Sequence, residues 1–298
     1  MSATPEEIEV ITARAAESIS ERRQARRENW RVLRRKPAFI IGVGILAVWV
    51  LCALFPSQLA PYHPLDFRTD LNQSPGWPHV FGTDKGGRDV FSRVIAGSRD
   101  ILKIAPLAAL LGVAGGVVLG MLMGYLRGWF DTIASRLVET MLAIPVVLFG
   151  LLAITTWGKS NMVVIGVIAV LFTPVVARTV RSAVFAERDL DYVTAARLRG
   201  ESKPFIMFRE ILPNVMGPIV VELTVRVGFA IFTVAYLAFL GAGPPPPSPD
   251  WGSQVSDNYN SIVSGYWWST LFPAAAIGSL VIAANLIADS VQSVMEDS

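Results

Sequence analysis

Few side chains in this sequence are placed to do chemistry, and they fall into three groups. The first is Glu222 and Arg226, which interrupt a long apolar run four residues apart, so that a helix carries both on one face as an ion pair. Ionisable groups inside a membrane span are costly and are functional candidates by default. Two readings stand for this pair. It lines a polar path or a subunit contact, or it is a self-neutralised pair whose Arg226 head group reaches toward the interface. The second group imitates ligand sites. His63 and His79 lie among prolines, with no cysteine partner and no close histidine spacing, so no metal-binding set is expected. Ala153–Ser160, AITTWGKS, resembles a phosphate-binding loop with alanine in place of the first glycine. Such a loop needs a preceding strand and a helix N-terminus facing aqueous nucleotide, and here the stretch closes an apolar run. The chain itself is expected to bind no ATP, metal or other cofactor. Its one cysteine, Cys52, excludes an intrachain disulfide.

The third group is a charged stretch, YVTAARLRGESKPFIMFREILPN, residues 192–214, with apolar runs on both sides. Thr194, Ala195, Ala196, Arg197 and Leu198 read as a helix, and Gly200 stands where a helix end prefers glycine. Arg199 and Glu201 flank that turn. Ser202 is a capping residue for a second helix, with Pro204 tolerated in its first turn. Phe205, Ile206 and Phe208 give that helix apolar surface, and Leu212-Pro213 interrupts it before the next apolar run. A helix–glycine turn–helix with small residues and exposed hydrophobics suits docking into a groove on a partner. A solvated connector is the plainer reading, but it has no need of two helices and aromatic side chains.

The elements that position these groups are membrane spans. Apolar residues make up 52% of the 298, only 17% are charged, and mean hydropathy is +0.48. A spanning helix takes roughly 20 apolar residues. Ala38–Phe55, Ile104–Leu126, Thr140–Gly158 and Ser160–Ala177 carry no charge except Lys159 between the last two, and Gly217–Leu240 and Leu271–Ala288 complete six spans. Thr140–Ala177 also reads as one span plus a re-entrant piece. The expected fold is therefore an all-α membrane bundle of six transmembrane helices. Its parts are a leader 1–37, a first span 38–55, a loop 56–99, a five-helix core 100–292 that includes the segment 178–216, and a tail 293–298.

Net charge is only +2, but its placement is informative. Arginines 22, 23, 26, 27, 31, 34 and 35 with Lys36 precede the first span. Seven further basic residues, from Arg178 to Arg209, separate spans four and five, whereas 241–270 has none. Basic residues near span ends favour the cytoplasmic side, which puts both termini and 178–216 inside. Loop 56–99 falls outside, although it has five basic residues. The leader reads as a helix along the membrane face, with Trp30 and Leu33 toward lipid and arginines toward anionic headgroups, each worth about 1 kcal/mol. Beside a span, this reading is preferred to a nucleic-acid-binding arm, so membrane lipid and not nucleic acid is the expected contact. No cleavable signal peptide is expected, because a long charged segment precedes the first apolar run. In span two Gly112, Gly116, Gly120, Gly124 and Gly128 recur every fourth residue, a spacing that lets helix backbones approach closely, in a static or a sliding contact.

TAARLRG followed by REILPN resembles the signature loop of ATP-binding-cassette importer permeases. Ala195, Ala196, Gly200, Leu212 and Pro213 match it, and Thr194 stands where glutamate is usual. FGTDKGGRDVFSRVIAGSR (81–99), GYLRGWFDTIASRLVETMLAIP (124–145), LAFLGAGPPPPSPDWG (237–252) and WWSTLFPAAAIGSLVIAANLIADSVQ (267–292) are similar to the C-type permeases of the peptide and nickel importer family. Asn285, Leu286 and Asp289 match that family. Ala288 replaces a usual glycine, and Val234 stands where the family often has glutamate. The resemblance implies the type I importer permease fold and a non-catalytic transport subunit in the bacterial inner membrane. It also implies a B-type permease partner, ATPase subunits that bind ATP and Mg and dock at the signature loop, and an extracytoplasmic binding protein. Peptides are the implied cargo, with nickel complexes or other small peptide-like solutes as the alternative. A stand-alone channel or proton-coupled carrier is a further alternative, but it lacks the expected intramembrane Asp, Glu or His. An intramembrane enzyme would need a nucleophile–base pair or metal ligands in the spans, and no convincing set is present.

Overall fold

The computed structural model describes residues 28, 30–67, 70–244 and 248–296. The expected leader helix lies almost wholly outside these residues, as do Pro245–Pro247 and the last two residues. Within them, residues 30–33 are helical. Trp30 is exposed with the Arg34 guanidinium over its ring, whereas Leu33 is buried.

Among the described residues, nine helices form the frame. Helix α1 (Pro37–Leu54) is apolar on every side and buries only Gly42, as a helix in contact with lipid does. At Gly42 it approaches the last helix so closely that a Cβ would lie 2.8 Å from the Ala283 carbonyl oxygen. Helix α2 (Val90–Leu126) has 37 residues and is about 55 Å long at the usual rise, longer than the hydrocarbon core. It begins ten residues before the end of the expected loop because Asp89 caps it, accepting from Ser92 N–H at 2.7 Å. Arg93 and Arg99, two of the basic residues of the expected loop, are thus carried on its first turns. Helices α3 (Gly128–Ala143) and α4 (Val146–Trp157) meet at 88°. The single span expected over Thr140–Gly158 is broken at Ile144-Pro145, where proline forces the preceding residue out of helical geometry.

Helix α5 (Asn161–Glu187) is capped by Ser160 and continues past the apolar run. Helix α6 (Asp191–Leu198) and a short segment lead to α7 (Met216–Leu237), which continues through a π-helical stretch, Ala238–Ala242. Helix α8 (Trp251–Asn258) lies on the face opposite α6, and α9 (Trp268–Glu296) closes the bundle. Among the described residues, five helices are long and apolar enough to cross a membrane, or six if the bent α3–α4 pair counts as one span.

The spine is the contact between α2 and α5. A Cβ on Gly112 would lie 2.8 Å from Phe172 Cβ, on Gly116 2.4 Å from Val176 Cβ, on Gly120 2.6 Å from the Ala177 oxygen, and on Gly124 2.7 Å from Val184 Cβ. Only hydrogen fits at all four. Gly128 does not continue the stripe: it starts α3 with positive φ and open space around it.

At the opposite end, a buried polar cluster ties the 70–89 loop to α2 and α8. Asp84 accepts from Gly86 and Arg88 N–H and from Arg88 Nε, all within 2.9 Å. Asp89 meets His79 Nδ1 at 2.8 Å. Arg93, 1% exposed, donates to the Ser248 oxygen at 2.9 Å. Trp251 is fully buried and donates to the Val94 oxygen at 2.8 Å. Gly97 makes this possible, since a Cβ there would lie 2.5 Å from the indole ring.

Candidate functional site

The charged stretch folds as a docked hairpin of two short helices. Asp191 in the first turn of α6 and Arg197 in the last complement the helix dipole. The helix ends in paired bonds, Gly200 N–H to the Arg197 oxygen at 3.0 Å and Glu201 N–H to the Ala196 oxygen at 3.2 Å. This is the Schellman arrangement, and it requires the left-handed Gly200, φ 77°. Ser202 Oγ accepts from Phe205 N–H and opens the second segment. Lys203–Phe205 then passes into a π-helical turn, Ile206–Ile211, in which Leu212 N–H bonds to the Met207 oxygen at 2.9 Å.

One side of the hairpin is core. Val193, Ala196, Ile206, Met207 and Ile211 are buried with Val176, Val180 and Val184 of α5 and Met121 of α2. Tyr192 donates to Glu187 Oε2 at 2.7 Å; burial, helped by that bond, pushes its phenol up to about 12. The other side is open. Thr194, Ala195, Arg197, Arg199, Gly200, Ser202 and Pro213 are exposed, whereas Glu201, Phe205 and Leu212 are half-buried. Arg199 bonds Glu210 at 3.1 Å, and Arg197 donates to the Arg188 oxygen at 3.0 Å while covering the Tyr125 ring. Ala196 is turned wholly inward, so in this conformation it packs the hairpin rather than presenting a surface. Two apolar residues of the predicted stretch dominate the open side: Leu198, 85% exposed, and Phe208, 44% exposed. The sequence carried a signal for Leu198, since it lies three and four residues after Ala195 and Thr194, on the face opposite Val193 and Ala196.

Glu222 and Arg226 pair as their spacing requires, Nε to Oε2 at 2.9 Å, each side chain about 15% exposed. Thr179 Oγ donates to the other carboxylate oxygen at 2.8 Å, joining α5 to α7, and the guanidinium lies over Phe172 and Phe229. The carboxylate and the guanidinium are therefore both satisfied. A cleft of about 300 Å³, with Thr179, Pro218 and Gln292 among its walls, adjoins them. Nearby, Asp131 on α3 forms a two-pronged ion pair with Arg181 on α5, Nη2 to Oδ2 at 2.7 Å. Arg188 donates to the last carbonyls of α2, Gly124 at 3.2 Å and Tyr125 at 3.1 Å. No sequence signal marked these two links. Among the described residues no three His, Cys, Asp or Glu side chains are grouped to hold a metal ion.

A long apolar bundle with a rigidly docked, outward-facing hairpin matches known proteins over most of its length. Residues 116–298 fit the family described as "Binding-protein-dependent transport system inner membrane component". The chain belongs to this permease family. Residues 25–75 fit the N-terminal transmembrane domain of oligopeptide transport permease C, which places the permease in the C-type group of ATP-binding-cassette importers. Its relatives include the dipeptide transport system permease protein DppC of Alkalihalophilus pseudofirmus, 34% identical over 91% of this chain and 89% of that one. The glutathione transport system permease protein GsiD of Pectobacterium atrosepticum is 33% identical over 91% and 90%. A putative peptide transport system permease of Brucella suis is 36% identical over 89% and 90%. The permease is a multi-pass inner-membrane transport subunit of a family without catalytic members.

Proposed function

We propose that the permease forms one half of the translocation path of an ATP-driven, binding-protein-dependent peptide importer, paired with a B-type permease. The peptide cargo is supported by the relatives named for dipeptides, glutathione and peptides. ATPase subunits, which carry the ATP and Mg sites, dock on the open side of the 191–211 hairpin, and an extracytoplasmic binding protein delivers cargo at the opposite face. Both termini and residues 178–216 are then cytoplasmic, in line with their basic residues.

The observation that carries this reading is the two-sidedness of the hairpin. Leu198 stands 85% exposed on a segment whose other side is locked into the bundle. An exposed leucine on a rigid, positioned helix is a docking knob. The same packing gives the coupling a route: moving α6 moves α5 through their shared apolar cluster, and α2 follows through the glycine contacts. ATP supplies bias only if it binds the states of the assembled ATPases unequally.

The test is purification of the permease from its native membrane, identification of the proteins that accompany it, and reconstitution of the assembly in liposomes. A second permease with P-loop ATPases, and ATP-dependent uptake of a dipeptide, are expected. A permease that purifies alone and moves peptide without ATP would overturn the proposal.

A further inference from the structure

On the face opposite the hairpin, a cleft of about 560 Å³ opens between the end of α1 and the third turn of α2. Its size lies in the range of small-molecule sites. Pro56, Ala60, Pro61 and Pro249 give it apolar walls, and Arg99 and Asp100 bring two opposite charges to it. Asp100 is partly buried, yet it makes no hydrogen bond or ion pair among the described residues; Lys103 and Arg99 act on it only as nearby charges. The histidine in the lining, His63, is turned to Asp66 at 3.6 Å. Arg99 likewise has no paired carboxylate. A carboxylate among prolines with no partner at contact distance is a costly arrangement that a bound cation would relieve.

We propose that this cleft binds a small zwitterion, with Asp100 accepting a primary ammonium and Arg99 holding the anionic end. With His63 turned to Asp66, and no three acidic, histidine or cysteine side chains grouped among the described residues, the cleft is not built for a metal ion. A primary ammonium offers three donors to Asp100, whereas a trimethylated one offers none. The planar fork of Arg99 fits carboxylate and phosphate alike. Two sources share this chemistry: a peptide with free termini, and a phosphoethanolamine headgroup at the membrane boundary where α1 ends.

Two probe pairs separate them, with the full-length permease in nanodiscs. Phosphatidylethanolamine is compared with phosphatidylcholine by native mass spectrometry. Alanyl-alanine is compared with N-acetyl-alanyl-alanine by saturation-transfer NMR in phosphatidylcholine discs. In at least one pair, the primary amine should bind at least about tenfold more tightly than its blocked counterpart. Asp100→Asn should erase most of that preference, whereas Arg99→Gln should weaken both members of the preferred pair alike, since both keep the anionic end. Preference in the lipid pair alone identifies the headgroup, and in the peptide pair alone the peptide. No preference in either pair, or a preference that survives Asp100→Asn, overturns the proposal. If Asp100→Asn lowers the thermal midpoint, the exposed Arg99→Gln decides in its place: affinity for the members of the preferred pair that is not reduced by this variant overturns the proposal. Only the peptide arm rests on the importer reading. ATP-driven uptake by the assembled system is therefore measured separately: intact uptake without any ammonium preference overturns the cleft and leaves the importer.

Discussion

Leu198→Ala separates docking from folding. The side chain is 85% exposed, so truncating it removes almost nothing that the permease itself buries, and its thermal stability should change by no more than about 0.5 kcal/mol. If an ATPase groove takes up the leucine, the substitution withdraws three carbons from the interface. At about 0.8 kcal/mol per methylene, less what remains of the contact, the loss is roughly 2 kcal/mol, or about thirtyfold in Kd. Ala196→Leu is the counterpart. Ala196 is fully buried against α5, so the larger side chain should destabilise the hairpin by about 1–3 kcal/mol through overpacking. Binding of purified ATPase subunits to nanodisc-held permease, by interferometry, measures the first effect, and thermal unfolding measures both. An ATPase affinity unchanged within twofold by Leu198→Ala, with correctly folded partners, would refute the docking role of this face.

Other consequences are as direct. Gly116→Leu should destabilise the bundle by roughly 3 kcal/mol or more, because even a Cβ would lie 2.4 Å from Val176; Gly166→Leu, with open space around it, should not, and thermal unfolding in detergent compares them. Gly200→Ala meets no atom within 4 Å, so its cost is the left-handed backbone alone, about 1–2 kcal/mol and local. Gly200→Trp adds bulk to the docking side and should block ATP-dependent uptake in a normally folded permease. The Tyr192 phenol is raised from 10.0 to about 12 in the folded state, so the native chain holds the proton longer than the unfolded one. Its contribution is complete below pH 10 and is lost as pH rises toward 12; Tyr192→Phe should remove that dependence from a pH series of unfolding midpoints.

What could be read from the sequence was whatever depends on neighbours along the chain. The apolar runs, the glycine spacing, the Glu222–Arg226 pair and the Gly200 helix end all follow from residues within a few positions of one another. Long-range satisfaction could not be read this way. Arg93 looks like a loop arginine until the Ser248 carbonyl, 155 residues away, accepts from it. Trp251, which follows a proline run, shows no sign of burial in the sequence until Gly97 opens a slot for its ring beside the Val94 oxygen. Pro145 was visible, but its effect was not, because a proline within a span is often tolerated: Pro106 and Pro174 lie inside continuous helices. The difference lies in the surroundings. Pro106 and Pro174 are in the two helices of the tight α2–α5 spine, whereas Ile144, Val146 and Leu148 around Pro145 are exposed, with little packing to keep the helix straight.

The same contrast bears on how force from the hairpin would spread. Helices α2 and α5 touch backbone to side chain at four successive glycines, a contact too close to slide by a fraction of a turn without collision. They should move as one body. Helix α3 is held to that body by the Asp131–Arg181 ion pair and by Ala134 and Val138 against Met123 and Ala177. Helix α4 is held by Ala153 and Ile154 in the core with Val164 and Ile168 of α5. The least-packed joint is therefore the bend at Ile144-Pro145, where Ile144, Val146 and Leu148 are exposed. A displacement entering at α6 is therefore expected to pass undiminished along α5 and α2 and to be taken up at the α3–α4 corner. Cross-linking the two sides of that corner should then arrest uptake, while an equivalent link between α2 and α5 should leave it unchanged.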